Sequence, residues 1–293
     1  MAGQLARTRF GNGLTRASRA IGNPLMTLGV CSALLIAAAG CGPREAEIPP
    51  TAADADRLLF ERGQAAMAEE DWVRARQYFV QIRDTFPQSQ LRAAARLGVS
   101  DSYEGEGTTV SYISALTELG EFLRLYPTHV LTAYAQYKVG MVYYHQMREA
   151  RRDQTETREA VREFELFIER AVNDQTFALG VDDELMGEVR TRLRDARDRL
   201  SDASFVVGRY YYRAKYYPGA IHRFRAILDE DPGYTRRDQV YFHLAASLEA
   251  TDMDVEALPM FERLVAEYPE TDYLDEASAQ ITELKETLEL QDR

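Results

Sequence analysis

Four aromatic- or acid-proline pairs punctuate this chain: Phe86-Pro87, Tyr126-Pro127, Asp231-Pro232 and Tyr268-Pro269. Each closes a stretch whose apolar residues recur at helical spacing. Twelve and eight residues before three of these prolines stand Ala75 and Phe79, Ala220 and Phe224, and Ala257 and Phe261. Twenty-four residues before the same prolines stand Gly63, Gly208 and Ala245. The pattern has a physical reading. Two antiparallel helices cross closely only where a side chain is small, a phenylalanine fills the space between neighbouring pairs, and a proline stops the second helix. The chain therefore reads as stacked helical hairpins. Before Pro127, Ala115 keeps its place but Leu119 replaces the phenylalanine. In the next unit Gly140 and Ala160 lie 20 residues apart, where Gly208 and Ala220 lie 12 apart, and there is no terminal proline. About eight residues near "REARRDQT" are thus expected to form a longer loop.

This small, small, Phe, Pro signature in units of about 34 residues resembles the tetratricopeptide repeat (TPR). The expected fold is an all-α TPR solenoid of about five repeats. Repeats 1–3 are expected over 55–172. A long connecting helix (Asp183 to Ala214), repeats 4 and 5 and a capping helix near Tyr273 to Leu290 are expected over 183–293.

The first 54 residues follow a different logic. Residues 1–20 carry Arg7, Arg9, Arg16 and Arg19 and no acid, and Ala20 to Pro43 carries no charge. A basic start, an apolar middle and small residues at its end describe an export signal. The apolar stretch is borderline for spanning a bilayer, so an uncleaved membrane anchor is the alternative. Ala38-Ala39-Gly40-Cys41 resembles the lipobox of bacterial lipoproteins. That resemblance implies a signal peptide over 1–40 and a lipidated Cys41. The thiol would carry diacylglycerol and the amine an acyl chain, and two or more chains anchor a protein stably. Gly42 in place of Asp implies sorting to the outer membrane. Residues 41–54, with Pro49-Pro50 and no helical period, read as a lipidated, flexible tether.

Loss of 1–40 would remove four positive charges and take the net charge from −12 to −16. Such a chain lacks the basic footprint that nucleic acid requires. Cys31 lies in the signal, so no internal disulfide is expected in the mature chain.

No H-E-x-x-H, G-x-S-x-G, P-loop or G-x-G-x-x-G occurs, and His129, His145, His222 and His243 show no ligand spacing. "GEGTT" at 105–109 reads as a turn between helices. We therefore expect no catalytic residues, no metal and no cofactor beyond the lipid. Function is expected to lie in surfaces. At the positions TPR proteins turn toward their inner groove stand Tyr134, Tyr137, Met141, Tyr144 and His145 in the third unit, and Phe60, Gln64 and Met67 in the first. They read either as core or as a groove for an extended peptide. Between Arg209 and Arg237, seven basic residues face three acids. Arg209, Arg213, Lys215, Arg223 and Arg225 form a candidate docking patch, against the alternative of scattered solvation.

Three segments carry a more specific resemblance: "YPTHVLTAYAQYKVGMVYYHQ" (126–146), "RDQTETREAVREFELFIERA" (152–171) and the long helix before "YYYRAKYYPGAIHRFRAILDEDP". With the inserted loop, they make the chain similar to the BamD family, lipoproteins of the machine that assembles outer-membrane β-barrels. The resemblance implies a lipid-anchored scaffold on the periplasmic face of the outer membrane. It implies a groove in the N-terminal repeats for the C-terminal signal segments of unfolded barrels. It also implies a C-terminal half that docks on a BamA-like barrel protein, with accessory lipoproteins as further partners. The runners-up are another lipidated TPR scaffold, such as a pilotin or a cell-wall coordination factor, and an envelope enzyme carrying a TPR adaptor.

Overall fold

A computed structural model describes residues 54–291. The signal segment 1–40, Cys41 and all of the 41–54 tether but Asp54 lie outside the described residues. Twelve helices are described: α1 (Ala55–Ala68), α2 (Trp72–Thr85), α3 (Arg92–Glu106), α4 (Thr109–Leu125), α5 (Thr132–His145), α6 (Thr155–Asn173), α7 (Gln175–Ala178), α8 (Asp183–Arg213), α9 (Tyr217–Glu230), α10 (Arg237–Glu249), α11 (Asp254–Glu267) and α12 (Leu274–Gln291). No strand occurs among the described residues, and the helices pack as successive hairpins, the TPR arrangement.

The repeat signature forms the core. Ala75, Ala115, Ala160, Ala220 and Ala257 have no exposed surface, and Phe79, Leu119, Phe164, Phe224 and Phe261 lie buried one turn further on. Each buried ring contributes about 1.5–3 kcal/mol of burial. Phe79 touches two repeats. A methyl group on Gly63 of its own repeat, or on Gly98 of the next, would come within 2.7 Å of its ring.

Helix ends follow from local chemistry. Asp71 accepts the Arg74 N–H, Asp182 accepts the Leu185 N–H, and Thr108 and Ser111 cap each other reciprocally. Phe86, Tyr126, Asp231 and Tyr268 leave the helical region, with φ between −118° and −134°, because the following proline disfavours it.

Two repeats depart from the sequence spacing for visible reasons. In α3 the ninth residue is Ser100, the place held by Gly63 in α1, Gly140 in α5 and Ala245 in α10. Counting back 24 residues from Pro127 lands on Tyr103 instead. The α3–α4 hairpin is three residues longer here than the offset assumes. Ser100 is buried, and its hydroxyl donates to the Ala115 carbonyl at 3.4 Å across the hairpin. In the third repeat, residues 146–154 link α5 to α6. Buried Gln154 pins them, donating to the carbonyls of Glu149 and Arg152 and accepting from Thr157.

The 31-residue α8 belongs to two cores. Val189, Leu193 and Ala196 pack with α5, α6 and α7, whereas Phe205 packs with α9 and α10. At the junction Asp231, which stands where other repeats have an aromatic before proline, takes both guanidinium nitrogens of Arg194 at 2.9 and 2.5 Å and the Ser201 hydroxyl at 2.7 Å.

Candidate docking surfaces

Helix α5 lies between α3 and α8, and its tyrosines bridge to both. Tyr134 donates to Asp101 Oδ2 at 3.1 Å on α3. Tyr137 donates to Glu188 Oε1 at 3.5 Å, and Tyr144 to Asp195 Oδ2 at 3.0 Å, both on α8. Arg192 lies 5.2 Å over the Tyr144 ring. Ring contacts continue the row, with Tyr134 6.4 Å from Tyr137, and Tyr137 and Tyr144 each 6.4 Å from buried Phe164. The Tyr134 and Tyr137 hydroxyls stay protonated at neutral pH. Burial, then Glu188, pushes Tyr137 up to about 12, and burial with Asp101 pushes Tyr134 higher still. These bonds fix ring orientation in advance, so a partner that stacks on the rings meets surfaces with little entropy left to lose.

Below the row sits a half-buried ion cluster. Lys138 pairs with Asp101 at 3.3 Å and with Glu104, and His145 Nε2 lies 3.2 Å from Glu104 Oε1. Burial would raise Glu104, but Lys138 and His145 outweigh it and hold the carboxyl below its ordinary range. Burial prevails at Asp101, which is raised. Burial would lower Lys138, yet Asp101, Tyr134 and Glu104 hold it well above the usual lysine value. Asp101 and Glu104 occupy the groove positions of α3. Sequence counting missed them because the three-residue shift displaces the register of this repeat.

The structure divides the other groove residues. Met141 is 7% exposed and packs in the core with Phe164 and Phe167, so it does not line the surface. Phe60 is half-buried, edge-on to Phe79 at 5.5 Å, and Met67 is half-buried in the same cluster. Gln64 and His145 are exposed.

In the basic patch, Arg209 is half-buried with its guanidinium 5.8 Å from the Phe205 ring, and Arg225 pairs with Glu256 at 2.5 Å. Arg213, Lys215 and Arg223 are exposed and have no ion-pair partner among the described residues. Beside them Tyr210 and Tyr216 are 68% and 58% exposed, linked through Tyr211 at 5.9 and 5.6 Å. Periodicity alone cannot find these two tyrosines. Their exposure depends on how α8 turns into α9, at Lys215 with φ +59°.

Among the described residues, no group of three or more His, Cys, Asp or Glu is placed to hold a metal ion, and no helix is long and apolar enough to cross a membrane. What the fold presents is a TPR scaffold with two unlike surfaces, an aromatic row braced by carboxylates and an exposed cationic patch with tyrosines. The model of the outer membrane lipoprotein family (YfiO) matches residues 52–253, and the chain belongs to that family. A tetratricopeptide repeat model also matches residues 239–271. The outer membrane protein assembly factor BamD of Caulobacter vibrioides is 25% identical over 243 residues, covering 80% of this chain and 73% of that protein. The BamD of Rickettsia prowazekii is 24% identical over 177 residues, covering 58% of this chain and 63% of that protein. Among solved structures, the TPR2AB-domain:pHSP90 complex of yeast Sti1 covers 80% of this chain and 84% of that chain at 10% identity, with a TM-score of 0.39.

Proposed function

We propose that this protein is a lipid-anchored scaffold for outer-membrane protein assembly, held at the periplasmic face of the outer membrane by acyl chains on Cys41. The observation that carries the reading is the braced tyrosine row on α5, in a chain that belongs to a family of outer membrane lipoproteins. Extended segments of unfolded barrel proteins lie along this groove, with their aromatic side chains against Tyr134, Tyr137 and Tyr144. The cationic patch around Arg213, Lys215 and Arg223 docks an acidic face of a BamA-like barrel protein. Accessory lipoproteins join the same assembly. The role is one of binding and positioning, with no chemical step. Residues 42–54 tie the folded part to the anchor.

The test is recovery of partners on a C-terminally tagged full chain from detergent-solubilised envelopes. A large β-barrel protein with periplasmic repeats, recovered in stoichiometric amount, supports the reading. A secretin or cell-wall synthases in its place overturn it. For the groove, photo-crosslinking to peptides carrying barrel C-termini is expected to fall about tenfold in Tyr137→Ala and Tyr144→Ala. Unchanged crosslinking would remove the groove from the proposal.

A further inference from the structure

The inner groove extends beyond α5. Counted from the close-approach residue of each helix, the positions of Tyr137, Met141, Tyr144 and His145 in α5 correspond to Phe242, Ala246 and Glu249 in α10 and to Ala250 just after it. Met141 fills its place in the third repeat, whereas Ala246 leaves the corresponding place open. The result is a cavity of about 410 Å³ lined by α8, α10, α11 and α12. Tyr212 and Phe242 give it an aromatic wall, and Phe242 is held by stacking on Tyr273 at 4.3 Å.

The two carboxylates that line the cavity offer acceptors. Glu249 and Glu276 face it, and Gln280 Oε1 is buried without a hydrogen-bond partner. No lysine or arginine lines it, and neither carboxylate has an ion-pair partner among the described residues. Arg209 and Arg213 of α8 act electrostatically on His243 but do not line the cavity. Burial, then the neighbouring Glu283 and Asp254, raises Glu249 above its ordinary range, so its charge is poorly compensated. A ligand anion would be repelled. An apolar side chain would cover the Glu249 carboxylate without bringing a cation to pair with it, which costs more than the contact returns. A cation on an aliphatic stem satisfies both parts, its stem on the rings and its head among the acceptors.

We propose that this cavity receives a lysine or arginine side chain projecting from an extended segment of a partner protein, with the head at Glu249 and Glu276 and the stem against Tyr212 and Phe242. The site differs from the cationic patch in charge and lining, and it stands whether or not the assembly role does. The probe is an array of peptides of about ten residues in one Gly/Ser/Thr background, with Arg, Lys, Gln, Leu or Glu at the centre, overlaid with detergent-solubilised full chain. Arg and Lys peptides are expected to retain about tenfold more protein than Glu peptides. Glu249→Gln removes a charge without changing shape, and Ala246→Met fills the cavity as Met141 does in the third repeat; each is expected to abolish the preference. Equal retention of Leu or Glu peptides, or a preference that survives both substitutions, overturns the proposal.

Discussion

Gly140 and Phe164 face each other so closely that a methyl group on Gly140 would lie 2.5 Å from Phe164 Cε1. The ring is fully buried and cannot swing away. Gly140→Ala should therefore destabilise the chain by about 1–3 kcal/mol, the usual range for overpacking. Gly187, inside α8 with nothing within 4 Å of its would-be methyl, gives the contrast. Gly187→Ala should stabilise by roughly 0.5–1 kcal/mol through helix propensity. Urea unfolding of the two variants checks both signs.

Asp231 supplies an acid-sensitive tie between the two cores that α8 joins. Burial would raise its pKa, but hydrogen bonds from Arg194 and Ser201 hold it below the ordinary value of 3.8. The folded carboxylate thus gives up its proton more readily than the unfolded one. Its contribution is complete above about pH 5 and is lost as pH falls through 3.8 toward the lower folded value. Asp231→Asn should cost about 2 kcal/mol at neutral pH, discounted for the part-exposed Arg194, and should flatten the acid limb of a stability profile.

His243 and His129 predict loss of stability at mildly acidic pH. His243 has five aromatic rings within 5.9 Å, and burial lowers it below 6.5, aided by Arg209 and Arg213 against the Gln239 carbonyl. Burial also lowers His129, whose Nδ1 accepts the Leu131 N–H. Below pH 6.5 the unfolded chain takes up these protons before the folded chain does, so stability falls from there toward the folded values. The loss is at most about 1.4 kcal/mol per pH unit per group. His243→Phe should reduce the shift in urea midpoint between pH 7.5 and 5.5 relative to the unsubstituted chain.

The unpaired cations near the α8–α9 turn should govern docking rather than stability. Arg213→Glu with Lys215→Glu is expected to lower recovery of the barrel partner about tenfold and to make the remainder less salt-sensitive. The melting temperature should move by less than about 2 °C, because neither side chain is buried or ion-paired. A large fall in melting temperature with unchanged recovery would remove the patch from the proposed interface.

Much of the architecture is legible before any coordinates. Ala75 with Phe79, Ala220 with Phe224 and Ala257 with Phe261 mark core positions by spacing alone, and all six are buried. Ser100 is not legible, because three added residues move it out of register and a serine does not advertise a close approach. The surfaces are half legible. Periodicity selects Tyr134, Tyr137 and Tyr144, yet the same rule selects Met141, which turns into the core. It is silent on Asp101, Glu188 and Asp195, which brace the row from other helices.

Sequence by itself determined the helical hairpin, its repeat and the side that is buried, because these depend on residues close in the chain: small side chains, rings and prolines at constant offsets. The tertiary structure alone decided which polar groups meet. Tyr144 and Asp195 are 51 residues apart, and Arg194 and Asp231 are 37 apart. It also decided where space remains, since Ala246 on α10 and Ala250 just after it make a cavity only once α8, α11 and α12 are placed around them. Such pairings depend on the angle at which one hairpin stacks on the next. That angle is the sum of many small contacts, and no local spacing records it.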